Sequence, residues 1–197
     1  MERPILLDFP AEMAGERILV RPWLDQDAQP MFEAIRESAE HIGRWMPWPD
    51  RHRTVDDTLE YIRHTQADLP RREAFGMGIF DRETGELLGG IGLHPRQWAI
   101  PSLEIGYWIR EPKEGKGYVT EAVTLLTRFS FGRLGANRVF IRCDRRNTRS
   151  CAIPERLGFV NEGTLRNVER DSAGDLADIV IWAMTPEDFS RAEKTWT

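Results

Sequence analysis

The sequence predicts a mixed α/β domain: a mostly antiparallel central sheet with one parallel strand–helix–strand unit. Three observations carry this reading. Glycine-containing apolar strands follow one another between Phe75 and Ile109, separated by turn residues. A strong helical period then runs from Ala122 to Leu134 and leads directly into a buried-type strand, Arg138 to Asp144. The chain has 197 residues, 41% apolar and 30% charged, enough for one domain that buries its own core without disulfides or metals. The expectation is one domain over residues 1–197.

The elements follow in order. Ile18 to Trp23 (ILVRPW) is a short strand. Asp25 can cap a helix whose apolar face holds Met31, Phe32 and Ile35. Trp45-Met46-Pro47-Trp48-Pro49 cannot be helix interior, because proline lacks the N–H and clashes with the preceding turn; it reads as an aromatic loop. Thr54 opens a second helix with Leu59 and Ile62 on one face. Phe75 to Asp81 and Leu87 to His94 form a hairpin with Gly85 at the left-handed position of its turn, and Leu103 to Ile109 is the next strand. The helix with Ala122, Val123, Leu126, Phe129 and Leu134 ends at Gly135. Strand Arg138 to Asp144 makes the parallel unit, whose crossover should be right-handed. Asn147 caps a short segment ending at Leu157-Gly158-Phe159. Leu165 to Arg170 and Leu176 to Met184 close the domain as a hairpin around Asp171 to Asp175.

Several functional classes fall away. The net charge of −5 argues against general nucleic-acid binding. No apolar run approaches the ~20 residues that cross a bilayer. Glu2, Arg3 and Asp8 in the first ten residues leave no signal-peptide core, so a cytoplasmic location is expected. Cys143 and Cys151 make no disulfide framework and read as free thiols in packing roles. His41, His52, His64 and His94 show no metal-ligand spacing, and no metal is expected. Three lysines against a large excess of arginine fit codon usage better than phosphate recognition.

The segment that carries chemistry is Gly115-Lys116-Gly117, between a strand and a helix. Two glycines let the backbone turn so that its N–H groups converge, and the helix that follows adds the positive end of its dipole. Such a turn binds a phosphate or pyrophosphate through the main chain. It is not a Walker loop, since Gly117 stands where Ser or Thr is required and Arg110 where the first glycine is required. It is not a dinucleotide fingerprint either, since Thr120 replaces the third glycine.

Trp108-Ile109-Arg110-Glu111-Pro112-Lys113-Glu114-Gly115-Lys116-Gly117-Tyr118-Val119-Thr120-Glu121-Ala122 resembles the acyl-CoA-binding segment of the GNAT superfamily of N-acyltransferases. It is similar in particular to the RimJ/RimL branch, which acetylates N-terminal amines of ribosomal proteins. Three further segments strengthen the likeness: Gly106-Tyr107-Trp108-Ile109; Asn147 with Ser150, then Ala152-Ile153-Pro154-Glu155-Arg156-Leu157-Gly158-Phe159; and Trp45-Met46-Pro47-Trp48. They run in the family's order over about residues 18–185. One position departs: the superfamily often has Gln or Arg three residues before Gly115, where this chain has Pro112.

The resemblance implies the GNAT-type acyl-CoA N-acyltransferase fold and acetyl-CoA as co-substrate. It implies direct attack of an amine on the thioester carbonyl in a ternary complex, with no covalent acyl-enzyme. The CoA site would comprise Trp108, Ile109, Glu114, Gly115, Lys116, Gly117, Tyr118, Val119, Thr120 and Asn147. A backbone N–H on the strand Leu103 to Ile109 would meet the oxyanion. Ser150 matches the family's acid and Glu169 its base, with Glu104 and Glu162 as competitors. Pro154 bears on Ser150: without an N–H it leaves the Ser150 carbonyl open to a ligand or water, or kinks the helix there. Trp45, Trp48 and Trp98 would wall the acceptor groove, and Arg145, Arg146 and Arg149 form a basic cluster better read as solvated surface. The acceptor implied is a protein N-terminal amine, the alternatives being a small-molecule amine, a longer acyl donor, or a non-catalytic binding module. No nucleic-acid or membrane partner is expected, and the terminal hairpin is a dimer contact to consider.

Overall fold

In the computed structural model, which describes residues 3–196, eight strands form one sheet in the order β1-β2-β3-β4-β5-β6-β8-β7. The strands are β1 Met13–Ala14, β2 Ile18–Pro22, β3 Phe75–Asp81, β4 Leu87–Gln97, β5 Ser102–Ile109, β6 Arg138–Asp144, β7 Val160–Arg170 and β8 Leu176–Met184. Every pairing is antiparallel except β5 with β6. The parallel pair is the one the sequence places around its strong helix, now α4, Tyr118–Gly132. The other helices are α1 Ala28–Glu37, α2 Ala39–Gly43, α3 Val55–Arg71, α5 Thr148–Arg156 and α6 Pro186–Ala192.

Alternation along the strands divides the core. Ile79 and Leu88 pack with Val123 and Leu126 of α4, while their neighbours Phe80 and Leu87 join Met31 and Ile35 of α1, Ile62 of α3 and Trp23. The second face is paved with aromatic rings laid on glycines. A Cβ at Gly90 would stand 2.3 Å from the Trp108 indole nitrogen, so only glycine permits that ring to lie there.

Capping follows the sequence at Thr54, whose hydroxyl accepts from the Asp57 N–H (3.1 Å) while Asp57 accepts from the Thr54 N–H (2.8 Å). Asp25 does not cap α1. It begins a 3-10 turn and pairs with Arg63 and Gln66. Asp27 orders this corner instead: its carboxylate accepts from the Leu24 N–H and from the Arg21 guanidinium in a fork of 2.6 and 2.8 Å. Strand β7 starts five residues earlier than expected, at Val160, and crosses two register shifts on its way to Arg170. As an edge strand it leaves Val160, Leu165 and Val168 exposed, which alternating patterning does not reveal.

The feature that positions the site is a short seam. Strands β5 and β6 pair only at Ser102↔Arg138, Leu103↔Val139 and Glu104↔Phe140. β5 stays on β4 as far as Ile109, and β6 stays on β8 as far as Asp144. Beyond Glu104 the two strands therefore part, and a cleft opens in the middle of the sheet.

Candidate active site

One wall of the cleft is the free edge of β5. Arg110 donates its N–H to Leu88 O (2.9 Å), so by antiparallel alternation the amides of Trp108 and Gly106 also face β4. Those of Ile105, Tyr107 and Ile109 then face the gap, where β6 no longer meets them. This is the strand on which the sequence reading placed the oxyanion donor.

At the end of that edge lies the glycine loop. Gly115 and Gly117 hold φ of +70° and +85°, and Gly117 is the N-cap of α4. Glu121 donates to Gly117 O (3.0 Å), so the amides before it have no acceptor within the helix and converge on the loop mouth. A cavity of about 510 Å³ opens there and brings together Trp108, Ile109, Glu114, Gly115, Gly117, Tyr118, Val119, Thr120 and Asn147, nine of the residues the resemblance assigns to CoA. Lys116 is expected too but does not line it; its carbonyl instead accepts from Arg17 (2.9 Å). The Glu114 carboxylate is held by His41 (3.0 Å) and Arg149, so its part is to tie α2 to α5. Arg156 brings positive charge to the lining, where Lys113 and Arg149 stand paired with Glu86 and Glu114. Of the basic cluster, Arg146 is taken up by Asp144 and Asp171.

Arg17 is a residue that sequence reasoning missed. Its backbone N–H and its Nε donate to the two oxygens of Glu121 (2.9 and 3.1 Å), and the guanidinium lies 5.1 Å from the Tyr118 ring centre. It thus fastens the first turn of α4 and the loop to the start of β2.

A second cavity, of about 780 Å³, lies on the other side of the cleft. Trp45 and Trp48 line it, beside Met46, Tyr61 and Trp108. Trp98 does not. Its indole N–H donates to Arg72 O (3.1 Å) and its ring packs on the core, because β4 runs on to Gln97 and carries the loop away from the groove.

The two cavities share Trp45, Met46, Tyr107, Trp108, Asn147 and Ser150. At this junction Asn147 caps α5 by accepting from the Ser150 N–H (3.0 Å). The Tyr107 hydroxyl donates to the Ser150 carbonyl that Pro154 leaves open (3.1 Å). Tyr107 also lies 3.1 Å from Ser150 Oγ. A tyrosine has a single hydroxyl hydrogen, so Ser150 is the donor in that second contact. Burial pushes the Tyr107 phenol up, against the opposing hydrogen bond from Ser150, and keeps it neutral. The signal for Tyr107 was present in Pro154, since an orphaned carbonyl in a helix needs a donor.

The carboxylates separate. Glu169 lines the larger cavity and is ion-paired with Arg142 on β6. Glu104 lines it as well, held by Arg96 at 2.8 Å. Glu162 does not; it forms a fork with Arg138 (2.6 and 2.5 Å). His94, cross-strand partner of Glu104, also lines this cavity and had no role assigned from sequence. Burial holds its imidazole below the ordinary histidine range, outweighing the Glu104 charge, so it is neutral at pH 7 and can accept a proton.

The thiols of Cys143 and Cys151 face each other, Sγ to Sγ, at 3.2 Å. The Cys143 S–H donated to Cys151 draws the Cys151 thiol down to about 7, while the same contact, with burial, pushes Cys143 up. Among the described residues no group of three or more His, Cys, Asp or Glu side chains could hold a metal ion. No helix there is long and apolar enough to cross a membrane.

Comparison with known proteins bears directly on this geometry. Residues 17–160 match the family model described as the acetyltransferase (GNAT) domain. The chain is 36% identical over 157 residues to YdaF of Bacillus subtilis (strain 168), named as a candidate ribosomal N-acetyltransferase; the match covers 78% of this chain and 83% of YdaF. It is 26% identical over 186 residues to the [ribosomal protein uS5]-alanine N-acetyltransferase of Escherichia coli (strain K12), covering 90% and 92%. Its fold superposes with a TM-score of 0.82 on the microcin C7 self-immunity acetyltransferase MccE, solved with acetyl-CoA and AMP; identity is 24%, and 90% and 97% of the two chains are covered.

Proposed function

The chain belongs to the GNAT acetyltransferase family and is an acetyl-CoA-dependent N-acetyltransferase, and from that premise we propose that it acetylates a protein N-terminal α-amine by direct transfer in a ternary complex. The observation that carries this is the meeting of two cavities at Tyr107, Asn147 and Ser150. Donor and acceptor can be held together there, so proximity supplies much of the rate and no covalent relay is needed. The names of the relatives that act on ribosomal proteins support a protein acceptor.

The residues fit acetyl-CoA, which supplies an activated thioester carbonyl. The loop amides at Gly117 to Thr120 and the α4 dipole hold the pyrophosphate, with Lys113, Arg149 and Arg156 nearby. The open edge of β5 offers free amides that would hold the pantetheine arm, and the amide of Tyr107 or Ile109 would stabilise charge on the thioester carbonyl oxygen. Ser150, whose hydroxyl rests against Tyr107, turns from the Tyr107 oxygen to donate a hydrogen bond to the departing sulfur. Glu169 takes the amine proton, directly or through water, from a position Arg142 fixes on the cavity wall. A small-molecule amine is the second reading, favoured by an acceptor cavity of about 780 Å³, a size typical of small-ligand sites.

The test is acetyl-CoA consumption against N-terminal peptides and small amines, with intact mass of the enzyme followed in parallel. The expected result is turnover on a peptide α-amine, sequential kinetics, and no acetyl group on the enzyme after acetyl-CoA alone. A competent acetyl-Cys143 or acetyl-Cys151 would sink direct transfer. Turnover on small amines only would move the assignment to the second reading.

Arg17 gives a separate expectation. Its guanidinium fastens the loop but is half exposed, so solvent weakens its bonds. Arg17→Ala should raise the Kd for CoA roughly 3–10-fold, the equivalent of about 1 kcal/mol. Titration calorimetry showing no change would mean the loop holds its shape unaided.

A further inference from the structure

The thiol pair takes no part in the transfer reaction, yet its placement is specific. Cys143 is buried on β6 and lines the acceptor cavity; Cys151 stands in the first turn of α5, directly after Ser150. Their sulfurs are 3.2 Å apart, and the Cys151 sulfur also lies 3.7 Å from Asp144 O. A disulfide requires about 2.05 Å, so a small closing movement of one turn completes the bond. We propose that Cys143 and Cys151 are a redox modification site, a dithiol that a peroxide converts to an intramolecular disulfide, and that this bond lowers turnover by drawing the first turn of α5 away from Tyr107. The effect on turnover rests on the proposed function; the modification itself does not.

A buried indole N–H lies on the same face of the sheet. The buried Trp182 indole N–H has no hydrogen-bond partner. Trp182 faces Ile141 across β6–β8, which puts its ring on the Cys143 side of the sheet. It favours the charged form of Cys151. A thiol is a poor acceptor and a thiolate a good one, so ionisation of Cys151 satisfies a donor that is otherwise stranded. The thiolate is also the form that reacts with peroxide.

The chemistry balances. The Cys151 thiolate attacks one peroxide oxygen; the O–O bond breaks, and the hydroxide released picks up a proton from solvent as water. The sulfenic acid left on Cys151 is then attacked by Cys143. An S–S bond forms, the S–O bond breaks, and the Cys143 proton leaves with the oxygen as a second water. Two thiols and one hydrogen peroxide become one disulfide and two waters, the two electrons passing from sulfur to oxygen. A dithiol reductant reverses the change by exchange. Closing the bond moves Cys151, whose N–H is bonded to Asn147 O (3.0 Å), and with it the neighbouring Ser150.

The experiment uses the full chain, reduced, then exposed to hydrogen peroxide. The expected result is loss of two hydrogens by intact mass, a Cys143–Cys151 cross-linked peptide, and full reversal by dithiothreitol. The kcat should fall at least tenfold and recover on reduction, and CoA affinity measured by calorimetry on both forms should shift with it. Peroxide should leave the kcat of Cys151→Ser at that variant's own starting value; Cys143→Ala gives the same reading if the first variant does not fold. Absence of the cross-link, or oxidation confined to one cysteine, overturns the site. A complete cross-link with kcat and CoA affinity both unchanged overturns the control of turnover. If no acceptor is turned over at all, mass and CoA affinity still decide the modification.

Discussion

Gly117→Val is expected to raise the Kd for CoA about 100-fold. Gly117 holds φ at +85°, a conformation that costs an L-residue ~1–2 kcal/mol and a β-branched one more. Its new side chain would also meet the Arg17 guanidinium, 3.1 Å from the Cβ position. Roughly 2–3 kcal/mol in total corresponds to that loss. Gly115→Ala tests the backbone alone, because φ is +70° there and nothing stands within 4 Å of a Cβ; a milder loss of about tenfold is expected. Lys116→Ala should change Kd less than about threefold, since its side chain lies outside the cavity and adds only screened attraction. Calorimetry with Lys116→Ala worse than Gly117→Val would defeat main-chain recognition, and melting curves separate binding from folding.

Ser150→Ala should lower kcat about 100-fold with little change in CoA affinity. General acid groups contribute roughly 10²–10⁴-fold. The low end applies here because a thiolate, with pKa near ~8.5, leaves readily without help. Glu169→Gln is likewise expected at the low end, because an α-amine with pKa ~7.7–8.0 is partly neutral at pH 7. A lysine acceptor, at ~10.4, would depend on that carboxylate far more. Tyr107→Phe removes the donor to the Ser150 carbonyl and the acceptor of the Ser150 hydroxyl, and should cost about tenfold in kcat. If Ser150→Ala and Glu169→Gln both leave kcat and kcat/KM intact with a true acceptor, proton transfer belongs to water or to His94.

What was legible in the sequence is what depends on neighbours along the chain. The glycine loop, the α4 period, the Thr54 cap and the Asn147–Ser150 turn are each written within a few residues. Arg17 was not legible, because its partner Glu121 is 104 residues away and both look like ordinary surface charges. Tyr107 and Ser150 are 43 residues apart, and only Pro154 hinted that a donor was due. Trp98 was misplaced for the opposite reason: an exposed-looking aromatic loop gives no sign of which way it turns, and the run of β4 past His94 decides it. The start of β7 was missed because Asn161, Glu162 and Gly163 resemble a turn, while the structure absorbs them in a register shift.

Strands β2 and β3 lie side by side, yet the chain between them makes a long excursion through α1, α2, the Trp45–Trp48 loop and α3. A tight turn would have joined them. That excursion provides much of the acceptor wall, including Trp48, His52 and Tyr61, and through His41, Ile42, Trp45 and Met46 it also closes one side of the CoA cavity, whose other walls are β5, the glycine loop, α4 and α5. The stretch of residues 48–64 lines the acceptor cavity alone, while the glycine loop and the Tyr107–Ser150 contact are written elsewhere in the gene. Drift within residues 48–71 can retune which amine is admitted while the glycine loop and Ser150 stay fixed, so one scaffold can be handed from acceptor to acceptor over evolutionary time.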